Sequence, residues 1–161
     1  MKKIKGIVML IALVAFISSC QEEYEPEMYA GHQIAGEWYV TYNLGGTDVG
    51  HGYSTMLTFN TAANDGAQIW VSDEAHFWDF KAKVAANPEG MSFGQSDSLE
   101  NQAYPVNIVI KNGKVITDGG KSKTGVVTDS IYMVVGFGDD TPGTEYVVSG
   151  HRRTGFVEDD F

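Results

Sequence analysis

The chain has very little cysteine and few basic residues. Its 161 residues include one cysteine, Cys20, and 11 lysines and arginines stand against 21 aspartates and glutamates. With one cysteine the chain has no intrachain disulfide, so a folded domain must be held together by its core alone. The formal charge of −10 argues against nucleic acid as a partner, because the phosphate backbone would repel the chain.

No apolar run is long enough for a membrane-spanning helix. The longest, residues 7–17, falls short of the roughly 20 residues that a span needs. Three lysines precede it and two serines follow it, which is the order of zones in a secretory signal. Ile17-Ser18-Ser19-Cys20 resembles the bacterial lipobox, in which a peptidase cuts before a lipidated cysteine. We therefore predict a signal peptide at residues 1–19 and lipid on Cys20; the alternative is a secreted protein with an accidental cysteine.

An acidic segment follows the cysteine. Residues 20–33 contain four glutamates and one proline, and they lack an apolar period, so we predict a flexible tether. The segment resembles the surface-export signal of Bacteroidetes lipoproteins, although a solvated spacer is an equal alternative. Removing residues 1–19 takes away three lysines and no acid, which lowers the formal charge to −13. These features predict an exported protein anchored by lipid to the outer membrane, and they leave open which face it occupies.

The dominant period of residues 34–161 is two, which predicts one all-β domain. Apolar and polar residues alternate over residues 38–44, 54–59 and 78–84, and Gly-rich turn segments separate them. Asn112-Gly113 lies between two apolar runs and predicts a two-residue hairpin. A second hairpin is predicted between residues 130–137 and 145–153. About eight short strands indicate an antiparallel barrel or a sandwich, which the pattern alone does not separate.

Sequence motifs at the two ends of the domain favour a barrel over a sandwich. Gly36-Glu37-Trp38 opens the first predicted strand, and Arg152-Arg153 closes the last. A Gly-x-Trp with an arginine packed across the indole resembles the signature of calycin (lipocalin-like) barrels, where the pair closes one end through a cation–π contact. Neighbours on a strand face opposite sides, so one arginine points inward, but the sequence does not say which.

A wider set of motifs resembles one lipoprotein family. The segments in order are Ala35–Val40, Asn112–Lys114, Thr128–Ile131 and Ser149–Phe156. Together they resemble the lipid-binding putative hydrolases of Bacteroidetes. This resemblance implies a calycin-like barrel of about eight strands that holds a lipid or another small apolar molecule. It also raises the prospect of a hydrolase, for which no catalytic motif is present.

A barrel of this size has room for its own side chains or for one small ligand. Six aromatic residues are candidates for lining a ligand cavity, and the alternative is that they simply form the core. These candidates are Tyr42, Phe59, Trp70, Trp78, Phe80 and Tyr132.

The sequence nominates no catalytic residue, metal ligand or cofactor. Gly-x-Ser-x-Gly is missing, and His51 near Ser54, Asp73 near His76, and Asp129 beside Ser130 are only loose ingredients of a triad. The four histidines lack metal-ligand spacing. Asp139-Asp140 and the tail Glu158-Asp159-Asp160 could hold Ca²⁺, but acidic residues of loops and tails are more often simply solvated.

Three functions follow, in order of preference. The first is non-catalytic binding of a small apolar, lipid-like ligand by a lipid-anchored barrel. The second is an interaction module with a solid barrel that docks a protein partner at the cell surface, and the third is a lipid or ester hydrolase. An aromatic-lined cavity favours the first, a filled barrel with an apolar patch the second, and a converging Ser, His and carboxylate the third.

Overall fold

The computed structural model describes residues 28–161, so the predicted signal peptide, Cys20 and most of the tether lie outside the described residues. The described part is all β apart from one turn of 3₁₀ helix at Val157–Asp159. Its strands are β1 (Gly36–Leu44), β2 (Thr47–Asp48), β3 (Ser54–Asn60), β4 (Gln68–Ser72), β5 (Lys81–Asn87), β6 (Ser92–Glu100), β7 (Asn107–Lys121), β8 (Val127–Phe137) and β9 (Tyr146–Arg152).

The strands close into a barrel. β1 pairs antiparallel with β3, each strand from β3 to β8 pairs antiparallel with the next along the chain, and β9 returns to pair with β1 from Trp38–Arg152 to Asn43–Val147. The two-residue β2 is a hairpin extension of β1, so eight strands form the wall. Closure leaves no free edge among these eight strands. The predicted single antiparallel barrel is therefore confirmed, and a sandwich is not formed.

Alternation along the strands fills the interior. On β5, Ala82 and Val84 are buried while Lys81 and Lys83 point to solvent, as a strand with one wet face requires. The predicted hairpin between β8 and β9 is confirmed, with residues 138–145 as its loop. The interior is packed mainly with aliphatic side chains, and the largest fully buried ones besides Trp38, Tyr42 and Phe80 are Ile34, Met56, Ile69, Ile108, Ile110, Ile131 and Met133.

The predicted turn at Asn112-Gly113 is wrong. β7 runs through both residues as one 15-residue strand, with a bulge between Lys111 and Lys114. Asn112 does take the positive φ of 58° that Asn-Gly favours, but this conformation makes the bulge instead of a reversal. Gly113 is required because a Cβ there would overlap the ring and carbonyl of Phe93 on β6. Pairing of β7 with both neighbours thus overrides the local turn signal.

Candidate functional site

One end of the barrel is closed by a tryptophan and an arginine. Trp38 is fully buried, and its Nε1–H donates to Thr58 Oγ1 at 2.8 Å. The Arg152 guanidinium carbon lies 4.3 Å from the indole centroid, and its Nη1 donates to the carbonyl of Ala35 at 2.7 Å. A Cβ at Gly36 would overlap this guanidinium, which explains the glycine of the Gly-x-Trp motif. Arg152 is therefore the arginine that packs on Trp38.

Arg153 faces the other side. Its guanidinium donates to Asp160 from Nε and Nη2, both at 2.9 Å, and to Glu37 Oε1 from Nη1 at 2.9 Å. The Asp160 carboxyl also accepts from the Tyr39 hydroxyl at 2.7 Å, and these donors lower the pKa of Asp160 to about 2. Arg153 therefore ties the chain after β9 to the outer wall of the barrel.

The opposite end, the mouth, is covered by the loop between β4 and β5. Asp73 begins this loop and is fully buried. Its carboxylate accepts four backbone N–H bonds, from Ala75, Phe77, Trp78 and Phe80, at distances between 2.8 and 3.1 Å. Burial raises the pKa of Asp73, while the four N–H donors work against that rise. The loop is thus wound around one buried carboxyl group, and we call residues 73–80 the lid.

The lid carries aromatic rings over the mouth. Phe77 stacks on Tyr42 with centroids 4.3 Å apart, and Trp78 stacks on Phe137 at 4.6 Å and 7°. Tyr146 lies beside both lid rings, 5.1 Å from Phe77 and 6.1 Å from Trp78. These contacts make a continuous aromatic layer at this end of the barrel.

Hydrogen bonds fix the rim of the mouth. Trp78 Nε1–H donates to the Tyr104 hydroxyl at 2.8 Å, and that hydroxyl donates to Asp139 at 2.7 Å. The Tyr146 hydroxyl donates to Asp140 at 2.7 Å, and burial together with this bond raises the pKa of Tyr146 to about 12. The lid is therefore joined to the loop between β8 and β9 through two tyrosines that stay protonated.

One polar atom under the lid has no partner. Tyr42 is fully buried, and its hydroxyl finds no hydrogen-bond partner among residues 28–161. Burial, with a smaller contribution from the nearby Asp73 carboxylate, raises the pKa of Tyr42 well above its usual value. The hydroxyl therefore stays protonated, as a buried donor without an acceptor, which costs about 1–3 kcal/mol in a folded protein.

The six aromatic residues nominated by the sequence do not share one space. Tyr42 and Phe80 are buried inside the barrel and Trp78 lies half-buried at the mouth. Phe59 and Trp70 pair on the outer wall, where the ammonium groups of Lys81 and Lys83 lie about 5 Å above their rings. Tyr132 is also on the outer wall, under Lys114. For these three, lining of an internal cavity is contradicted by the direction in which their strands point them.

A comparison with protein families places this chain among known proteins. A family model described as lipid-binding putative hydrolase matches residues 23–157. The chain belongs to this family. No curated protein matches the chain. The lipid-binding family and the closed barrel together fit a ligand-binding barrel. The mouth of this barrel has a layer of aromatic rings and one buried hydroxyl without a partner in residues 28–161.

The hydrolase part of the family's description has no assembled counterpart in residues 28–161. The Asp73 carboxylate accepts hydrogen bonds from the lid backbone. His76 Nδ1 contacts only the Asp73 carbonyl and the Thr55 hydroxyl. Asp129 is paired with Arg152 at 3.1 Å instead of orienting Ser130. Within the hydrogen bonds of that range no serine hydroxyl meets a histidine ring. In the described residues, the hydrogen bonds therefore assemble none of the three combinations named in the sequence into a triad.

The described part of the chain has neither a metal-binding cluster nor a membrane-spanning helix. Residues 28–161 contain no group of three or more His, Cys, Asp or Glu placed to hold a metal ion. The same residues include no helix long and apolar enough to cross a membrane. Asp139 and Asp140, considered as Ca²⁺ ligands, instead accept hydrogen bonds from Tyr104 and Tyr146.

Sequence reasoning missed half of the mouth. Phe77, Phe137 and Tyr146 complete the aromatic layer, and none was nominated. The available signal was Phe77-Trp78, two adjacent aromatic residues behind an Asp-Glu-Ala-His turn, because alternation on a strand cannot bury both. Their joint burial requires a loop that lays both rings on the same surface.

Proposed function

We propose that this chain is an exported lipoprotein, anchored to the outer membrane through Cys20, whose barrel binds one lipid-like molecule at its mouth without reacting with it. The signal peptide and lipobox in the sequence support the anchor. Membership of a lipid-binding family supports the ligand class. An anchor on the same chain keeps the binding mouth close to a membrane, which is the source of such ligands.

The unpaired Tyr42 hydroxyl carries the proposal. A carbonyl or carboxylate oxygen of a lipid, placed under the lid, would accept the hydrogen bond that this hydroxyl lacks in residues 28–161. The apolar part of the same ligand would lie against Phe77, Trp78 and Tyr146, which form the aromatic layer. One polar contact within an apolar surround is the usual chemistry of a small-molecule site.

Entry of a ligand requires the lid to move. Phe77 stacks directly on Tyr42 and occupies the position that a ligand would take. Glu74 and Ala75 in the lid have φ of 54° and 61°, a conformation that non-glycine residues adopt at a cost. This local strain favours a second arrangement of the lid. The aliphatic side chains below Tyr42 fill the barrel, so the ligand lies at the mouth and not deep inside.

Native mass spectrometry of the full chain, purified in mild detergent, tests the ligand. We expect an added mass of the size of one fatty acid or phospholipid molecule that disappears on denaturation. Tyr42→Phe should weaken retention about tenfold, because a hydrogen bond lost on binding is worth about 1–1.5 kcal/mol. Tyr132→Phe, which removes the hydroxyl of a tyrosine on the outer wall, is the matched control and should retain the mass.

A clean protein mass in both the parent and the Tyr132→Phe variant, with no uptake of added oleate, would overturn lipid binding. The second candidate, a solid barrel that docks a protein partner, is then the better explanation. A specific observation favours it as second candidate: Phe59 and Trp70 are half-exposed on the outer wall beneath Lys81 and Lys83, a surface of the aromatic and cationic kind that protein interfaces use.

The anchor has its own test. Cys20→Ala should abolish the acyl mass on the N-terminal peptide of the processed protein and release the chain from the membrane fraction, because no other residue can carry the lipobox modification. Ser19→Ala, which keeps a small residue before the cysteine, is the control and should remain acylated. An unmodified thiol at Cys20 in the parent chain would refute the lipoprotein assignment.

A further inference from the structure

A second concavity lies on the outer wall, away from the mouth. It has a volume of about 400 Å³ and is bounded by the end of β7, by β8 and β9, and by Thr41 on β1 and Tyr53 in the loop before β3. Gly119 and Gly120, in the second bulge of β7, form part of its wall. A Cβ on Gly120 would lie 2.9 Å from the Cβ of His151, so the absence of side chains there keeps the wall close to the histidine. We call this concavity the outer groove.

The outer groove contains a buried histidine with an unused nitrogen. His151 is 4% exposed, and its Nε2 has no hydrogen-bond partner among residues 28–161. The rings of Tyr39, Tyr53 and Phe161 surround it with centroids 5.3–6.0 Å away. Burial lowers the pKa of His151, while the Asp159 carboxylate works against that fall, and the net effect leaves the ring neutral at pH 7 with one N–H. An unpaired polar atom of this kind is expected to have a ligand or an ordered water as partner.

Two serines extend the set of donors. Ser130 is the cross-strand partner of His151, and Ser149 is the cross-strand partner of Tyr132. Both serines line the outer groove, and neither hydroxyl appears in a hydrogen bond within the described range. Residues paired across antiparallel strands point to the same face, so the two hydroxyls and the imidazole lie on the same outer face of the wall.

The charge of the outer groove is opposite to that of the chain. Lys114 and Lys121 line it, and its lining residues in the described chain include no carboxylate. The chain as a whole has 21 acids and 11 bases. Asp159 is the carboxylate whose charge reaches the His151 ring. More distant exposed acids act weakly inside the groove, because at physiological salt their field is screened within about 8 Å. Ile116 and the ring of Tyr132 add an apolar surface beside the lysines.

We infer that the outer groove binds the phosphate group of a small phosphate monoester, with its apolar part against Ile116 and Tyr132. Two ammonium groups, two hydroxyls and one imidazole exceed what the two oxygens of a carboxylate need. The three terminal oxygens of a phosphate can use them all. The site is separate from the mouth and does not depend on the function proposed for it.

Calorimetric titration of the full chain in mild detergent with phenyl phosphate tests this inference. We expect saturable binding, at least tenfold weaker in Lys114→Met and in Lys121→Met, since each variant removes a charged donor from the groove. Both lysines are exposed, so these variants should fold. Lys83→Met, which removes a lysine on another part of the outer wall, should bind normally, and phenol should not bind.

A second measurement follows the histidine itself. Phenyl phosphate should shift the side-chain ¹⁵N resonances of His151 in nuclear magnetic resonance spectra, and it should leave those of His32 unchanged. Phosphatidic acid added to the same micelles distinguishes the source: competition with phenyl phosphate indicates a lipid headgroup, and no competition indicates a soluble ester. Absence of saturable binding, or equal binding by the parent and both groove lysine variants, would overturn the inference.

Discussion

Replacing Asp73 by alanine is expected to lower the free energy of unfolding by about 3–5 kcal/mol, and to open the barrel mouth. The carboxylate is the common acceptor for four backbone N–H groups of the lid, from Ala75, Phe77, Trp78 and Phe80. Each donor left buried without an acceptor would cost about 1–3 kcal/mol. The lid can rearrange and let water reach some of them, so the net loss is smaller than the sum.

Chemical denaturation at pH 7 measures the loss in the free energy of unfolding. Amide hydrogen exchange of residues 73–80 shows whether the lid is the part of the protein that is destabilised. Asp79→Ala is the matched control: it removes an exposed carboxylate from the same lid, and its effect should stay within about 0.5 kcal/mol. Exchange in the Asp73→Ala variant should rise in the lid and remain slow in β8 and β9. Similar losses for the two variants would mean that the Asp73 carboxylate does not organise the lid.

The same residue gives a pH dependence with a definite sign. Burial raises the pKa of Asp73 in the folded protein. A raised folded-state pKa contributes stability that is fully present below the unfolded value of about 3.9 and is lost as pH rises through the folded value. Asp73→Ala removes this contribution, so its deficit relative to the parent should grow as pH falls toward 4. The carboxyl group, protonated or not, remains the acceptor that the lid needs at pH 7.

Part of the fold could be predicted from the sequence, because each strand of a barrel has one face toward solvent and one toward the core, so polar and apolar residues alternate along it. Lys81 and Lys83 alternate with Ala82 and Val84, and the structure places them accordingly. β6 was not predicted, because Ser92–Glu100 is mostly polar and interrupted by register shifts, so it has no clean period of two. Pairing with the neighbouring strands β5 and β7 holds β6 in the barrel, and a local sequence pattern does not indicate such pairing.

It is harder to predict which side chains of a strand face the core than to predict the strand itself. Residues 54–59 alternate, but the structure buries Met56 and Thr58 and turns Phe59 outward. A hydrophobicity argument prefers Phe59 inside. Thr58 wins the inward position because its hydroxyl accepts from Trp38 Nε1 and donates to the Ile34 carbonyl, two partners distant in sequence. Partners this distant in sequence leave no trace in a local pattern, so the outward position of Phe59 could not be predicted from residues 54–59.

Trp38 and Trp70 both lie on predicted strands, and the structure predicts very different costs for their removal. Trp38→Ala should lower the free energy of unfolding by about 3–5 kcal/mol, the usual cost of emptying a buried aromatic position. Trp38 is fully buried, donates to Thr58 and lies under the Arg152 guanidinium, so its removal empties one end of the barrel and breaks both contacts.

Trp70→Ala should cost about 1 kcal/mol or less, because Trp70 stacks on Phe59 at the outer wall and faces only the exposed ammonium groups of Lys81 and Lys83. Urea denaturation of both variants under the same conditions measures the difference. Arg152→Met then separates packing from charge, since it keeps an apolar stem over the indole while losing the bonds to Asp129 and Ala35. A loss for Trp70→Ala equal to that of Trp38→Ala would contradict the assignment of the Trp38 end as the closed, packed end of the barrel.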